Sequence, residues 1–179
     1  MRLKDMSKAM KMKKHHFPED VISQFDLIMQ TDGEYGSREN PFVDAMDRLL
    51  TEEQRLLLWE VGGSCTGGGR YAKTLRDELA GKPLPEKIEA LNQNKHFYDC
   101  HLNEDGTVTA YAGCHCLQHR AKGTKPEKTP SAYGCAAGAA FQNIRDALDV
   151  KGKARMKSID YPVKGDGKGT LSFVFEVLA

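Results

Sequence analysis

The hydrophobic period of this chain changes once, near residue 95, and that change sets its fold class. Before it, apolar residues recur at helical spacing, and after it they alternate as they do along half-buried strands. Pro18-Glu19-Asp20 open a helix whose stripe of Val21, Phe25, Leu27 and Ile28 runs to the turn signal Thr31-Asp32-Gly33. A second helix spans about Pro41 to Leu50 and places Phe42, Met46 and Leu49 on one side. Thr51-Glu52-Glu53-Gln54 reads as a capping box, with Thr51 as N-cap and Gln54 reaching back, ahead of the apolar run Leu56-Leu57-Leu58-Trp59. Five glycines among the eight residues 62–69 would each cost about 1 kcal/mol relative to alanine inside a helix, which predicts a loop or sharp kink. The helical pattern resumes from Tyr71 to Leu79, and Gly81-Lys82-Pro83-Leu84-Pro85 starts a short helix through Leu91.

Beyond the change, His96 to Leu102 and Thr107 to Gly113 flank Asn103-Glu104-Asp105-Gly106, a hairpin signal because glycine supplies φ > 0. A four-residue loop there pairs Leu102 with Thr107 and sets His96 opposite Gly113. A polar loop follows from Lys122 to Pro130, then a helix from Ala136 to Leu148. Strands at Ala154 to Tyr161 and Thr170 to Leu178 flank the turn Gly165-Asp166-Gly167-Lys168-Gly169. Neither hairpin is stable alone, so the pattern predicts an α+β protein: N-terminal helices packed on an antiparallel sheet of about four strands, formed from two hairpins with a helix between them. Residues 17–179 read as a single domain. Residues 1–16 carry six Lys/Arg and one acid, with Leu3, Met6 and Met10 at helical spacing; they read as a basic, solvated or frayed segment.

A domain of 179 residues buries roughly 70% of its unfolded surface, so no metal or disulfide is required merely to fold. The near balance of 26 basic and 25 acidic side chains argues against a dedicated nucleic-acid grip. No stretch approaches the ~20 apolar residues that cross a bilayer, and the N-terminus lacks an apolar signal region. Five cysteines, an odd count, predict reduced thiols in a cytoplasmic protein without membrane or nucleic-acid partners. A small-molecule partner and a homodimer both stay open.

The chemistry-bearing residues cluster after the first hairpin. In extended backbone, residues two apart face the same side, so Cys114 and Cys116 can present both sulfurs to one ion. His119 and Cys135 complete a Cys₃His set suited to zinc, and Cys65, in the glycine-rich break, is an alternative fourth ligand from the helical half. His96, brought beside Cys114 by the hairpin register, is a further candidate. His15-His16 are set aside because adjacent residues on a helix diverge.

A rival reading makes Cys135 or Cys65 the nucleophile of a hydrolase or transferase. Cys135 opens a helix, where unpaired N–H groups stabilise a thiolate, and His119 or His115 could serve as base. A third reading leaves only small buried thiols and surface histidines, with the basic N-terminal segment docking a partner. The glycine-rich run is no phosphate cradle, since Arg70 and Tyr71 stand where a P-loop needs Lys and Ser/Thr.

Gly113-Cys114-His115-Cys116, then Tyr133-Gly134-Cys135-Ala136-Ala137-Gly138, a helix, and a closing hairpin ending Leu171-Ser172-Phe173-Val174-Phe175-Glu176-Val177 give the last 90 or so residues a likeness. This half resembles the 4-vinyl-reductase-type domain and its uncharacterised cysteine-rich bacterial relatives. The resemblance implies an α/β module that binds small hydrophobic molecules, with zinc-binding cysteines in some members. It would set a ligand pocket between sheet and helices, with Cys114, Cys116 and Cys135 in or near it.

Overall fold

The computed structural model describes residues 1–31, 38–64, 69–94, 97–113, 116, 129–161 and 170–178. Seven α-helices lie within them: α1 (Leu3–Met10), α2 (Glu19–Gln30), α3 (Glu39–Leu49), α4 (Glu52–Gly62), α5 (Gly69–Glu78), α6 (Leu84–Gln93) and α7 (Gly134–Ala147). Four strands, β1 (Cys100–Leu102), β2 (Val108–Gly113), β3 (Ala154–Asp160) and β4 (Thr170–Val177), form one antiparallel sheet in the order β1-β2-β4-β3. The two hairpins therefore merge through a β2–β4 seam, in which Val108 faces Phe175 and Gly113 faces Thr170. The α+β architecture matches the change of period in the sequence. No described helix is long and apolar enough to cross a membrane.

The first hairpin is one residue out of the expected register. Leu102 pairs with Val108 rather than Thr107. The cause is the turn: the Asn103 N–H donates to the Thr107 carbonyl at 2.8 Å, and Gly106 adopts φ +83°, leaving a three-residue loop. The Asp105 carboxylate fixes this loop by accepting from the Thr107 N–H at 2.9 Å and from its hydroxyl at 2.6 Å. These bonds hold the Asp105 carboxyl below the usual Asp range. β1 begins only at Cys100, so the pairing expected for His96 has no basis in the observed register, and His96 itself lies outside the described residues.

Two apolar clusters flank α4. On one side the inner face of the sheet (Val108, Ala110, Phe173, Phe175) packs on Phe141 and Ile144 of α7, with Leu75 of α5 and Leu91 of α6 joining it. On the other, Met6, Phe25, Phe42, Met46, Leu58 and Trp59 gather helices α1 to α4, with the Phe25 and Phe42 rings edge to face at 4.7 Å. α4 contributes Leu56 to the first cluster and Leu58 and Trp59 to the second, so it is buried nearly all round. The anticipated capping box starts it: Gln54 N–H donates to Thr51 Oγ1 at 3.3 Å and Thr51 N–H donates to Gln54 Oε1 at 3.0 Å.

α4 and α7 approach at backbone distance. A Cβ on Gly138 would collide with the Trp59 carbonyl, one on Gly134 with the Trp59 indole, and one on Gly63 with the backbone of Gly138 and Ala139. Gly134 and Gly138 of α7 are thus a packing requirement. Polar side chains tie the same place. Gln142 donates to the Glu60 carbonyl at 2.9 Å, and Arg2 donates from its backbone to the Gly62 carbonyl at 2.9 Å and from Nε to the Gly63 carbonyl at 3.1 Å. These bonds satisfy carbonyls that the end of α4 leaves without intrahelical partners.

Those contacts correct the reading of residues 1–16 as a solvated tail. Met6, Ala9 and Met10 are buried, and the Met6 side chain lies over Gly62. The Leu3/Met6/Met10 spacing had the right helix; the lysines merely occupy its outer face, where long charged side chains stay hydrated.

Gly138→Ala should destabilise the protein by about 3 kcal/mol, the upper range for overpacking, because the obstacle is backbone and cannot rotate away. Met6→Ala should cost about 2–5 kcal/mol through the cavity it leaves. Urea unfolding midpoints measure both; a Met6→Ala midpoint equal to wild type would mean that α1 does not pack as described.

Candidate functional site

Of the thiols and imidazole singled out in the sequence, Cys65, Cys114 and His119 lie outside the described residues, as does His115. Cys116 is exposed and Cys135 half-buried. Cys135 is the second residue of α7, as its position before the Ala136–Leu148 pattern suggested. The helix does not begin freely, however. A 3-10 turn, Pro130–Tyr133, runs into it, and the Gly134 N–H is already taken by the Ser131 and Ala132 carbonyls. The Cys135 thiol has one hydrogen-bond partner among the described residues: it donates to the Ser64 carbonyl at 3.4 Å. That contact joins positions 71 residues apart in the chain.

Cys100 belongs to the core. It is fully buried under α6, and loss of hydration, with a smaller push from the Asp99 charge, drives its thiol up to about 12. Its neighbour His101 points the other way, exposed, with its ring edge to Tyr111 at 6.0 Å. Cys100 also closes the outer edge of β1. Its N–H donates to Asn92 Oδ1 at 2.8 Å, and the Asn92 amide donates back to the Cys100 carbonyl. Among the described residues no group of three or more His, Cys, Asp and Glu side chains could hold a metal ion.

A separate feature escaped sequence reasoning. A half-open groove of about 860 Å³ runs between α4 and the outer edge of β3. Glu53, Leu56, Leu57 and Glu60 of α4 form one wall, Arg155, Met156 and Lys157 of β3 the other, and Lys14, His15 and His16 close an end. Glu60 is the one buried charged side chain among the described residues, at 5% exposure. Its Oε1 accepts the Met156 N–H at 2.7 Å, a strand-edge donor with no partner strand. No hydrogen bond to Oε2 is found among the described residues. Burial pushes the Glu60 carboxyl up, opposed by the Met156 bond and by the charges of Arg155 and Arg145.

His15 is pushed the opposite way, below the usual imidazole value, by partial burial and then by the neighbouring cations Lys14 and Arg155. His16 sits in the left-handed region at φ 52°, which redirects the chain after the 3-10 turn Lys13–His15 and lets both imidazoles line the groove. The reason for setting this pair aside, divergence along a regular helix, does not hold at such a bend. For Glu60 there was a usable signal: it stands seven residues after Glu53 and four after Leu56, on the face that the apolar run buries.

No family model, curated protein or solved structure matches the chain.

Glu60 makes stability depend on pH in a definite direction. Its folded carboxyl titrates above its unfolded value, so the folded state holds the extra proton between the two, and this contribution is present at low pH and lost as pH rises through the folded value. Glu60→Gln keeps an acceptor for Met156 without the charge. The stability of that variant relative to wild type should therefore climb as pH rises above the ordinary carboxylate range. Paired urea titrations giving a difference flat in pH would contradict the assignment.

Proposed function

We propose that the chain is a cytoplasmic metal-binding or small-ligand-binding domain whose site is a thiolate cluster, with Cys135 and Cys65 at its centre and zinc as the metal. The bond from Cys135 Sγ to the Ser64 carbonyl carries this reading. Ser64 immediately precedes Cys65 in the sequence, so this contact links the head of α7 to the chain segment that leads into the glycine-rich run. Cys114, Cys116 and His119 are the candidates for the remaining tetrahedral positions. They follow β2, which ends at Gly113 and packs on α7, the helix that carries Cys135.

The likeness to 4-vinyl-reductase-type domains enters the proposal as a source of small hydrophobic ligands at this cluster. The helix–sheet interface itself is filled by Phe141, Ile144, Phe173 and Phe175, so such a ligand would lie at the thiol end and not between the layers. The nucleophile reading needs His119 or His115 as base, and both lie outside the described residues; the one described partner of Cys135 is a carbonyl that accepts a hydrogen bond from the thiol.

Elemental analysis of protein expressed with zinc and purified without chelator should find stoichiometric metal. Cys135→Ser and Cys65→Ser should each lose at least about tenfold in zinc affinity while Cys100→Ala keeps the wild-type value. Metal-free wild-type protein in which a single thiol alkylates rapidly near neutral pH would discard the metal reading for the nucleophile.

A further inference from the structure

The groove between α4 and β3 has a charge pattern that the thiol cluster does not use. One wall reads carboxylate, apolar, carboxylate: Glu53, then Leu56 and Leu57, then Glu60, with about 10 Å of helix rise between the two acids. The far side carries cations, of which Lys157 is occupied by Glu176 at 3.4 Å, while among the described residues Lys14 has no ion pair and Arg155 donates only to the Ala154 carbonyl, at 2.8 Å. A pure anion would meet the acidic wall, and a pure cation would meet Lys14 and Arg155.

We propose that this groove binds a basic amino acid, with one ammonium on Glu60, the second toward Glu53, the intervening methylenes on Leu56 and Leu57, and the carboxylate against Arg155 and Lys14. The Glu60 carboxylate is largely buried, at 5% exposure, and makes one hydrogen bond, so it has lost most of its hydration while still lining the groove. An ammonium at the free Oε2 supplies the missing donors as charge-assisted bonds. The ligand carboxylate relieves the crowding of Lys14 and Arg155 that already disfavours a charged His15. A volume of 860 Å³ admits such a molecule with water to spare, within the range of small-ligand clefts. Strand addition is a poorer fit for this groove, because the outward Ala154 carbonyl and Met156 N–H are already taken by Arg155 and Glu60.

Calorimetric titration of the full chain with L-lysine tests this directly. Saturable binding is expected, weakened at least about tenfold by Glu60→Gln and by Arg155→Gln. Cadaverine, which keeps both amines and lacks the carboxylate, should bind more weakly than lysine. Any of three results overturns the proposal: no saturable lysine binding, cadaverine as tight as lysine, or affinity unmoved by both substitutions in folded variants. Failure here leaves the thiol cluster untouched, since neither Glu60 nor Arg155 belongs to it.

Discussion

The close approach of α4 and α7 through Gly134, Gly138 and Gly63 is the constraint on which the rest of the structure depends. α4 separates the helical cluster from the sheet cluster, and only a glycine surface lets it lie deep enough to serve both. Trp59 fills the resulting space on one side and Leu56 reaches the sheet side. The carbonyls at the end of α4 are then met from two directions, by Gln142 of α7 and by Arg2 ahead of α1. That draws the N-terminal helix into the core, although six of the first sixteen residues are basic.

The same arrangement creates both candidate sites, one at each part of α4. Past its C-terminal end the chain passes Ser64, whose carbonyl accepts a hydrogen bond from the Cys135 thiol. Along its flank, the face that begins at the capping box looks across to β3 and ends at a carboxylate held under the strand edge. The central helix therefore sets the geometry at both places, the Cys135–Ser64 contact past its end and the charged groove along its flank.

Much of the fold was legible because its determinants are local. Periodicity located α2, α3, α5, α6 and the second hairpin to within a few residues, and the Thr51 box gave the start of α4 outright. What the sequence hid was non-local or depended on side-chain detail. The Asn103 turn slipped by one residue because Asp105 bonds to Thr107, which a four-residue loop count does not contain. The role of Met6 depends on Gly62, 56 positions later, and nothing near residue 6 signals it. For the thiols, sequence placed Cys135 at the head of a helix, but the 3-10 turn that feeds α7 could not be read from Pro130-Ser131-Ala132-Tyr133 alone. Glu60 was passed over because an acid at the end of an apolar run reads as the start of a solvated face.

The two outer strands share a property that bears on how this protein behaves in a crowded cell. β1 is short, and the Asn92 side chain imitates a neighbouring strand by exchanging two bonds with Cys100. On the opposite border, Glu60 and Arg155 do the same for Met156 and Ala154. Side chains rather than main chain thus terminate the ladder at both margins, and the sheet offers little template for a passing unfolded chain to zip onto. Self-association, where it occurs, is steered toward side-chain surfaces and away from the ordered fibre that an open margin invites.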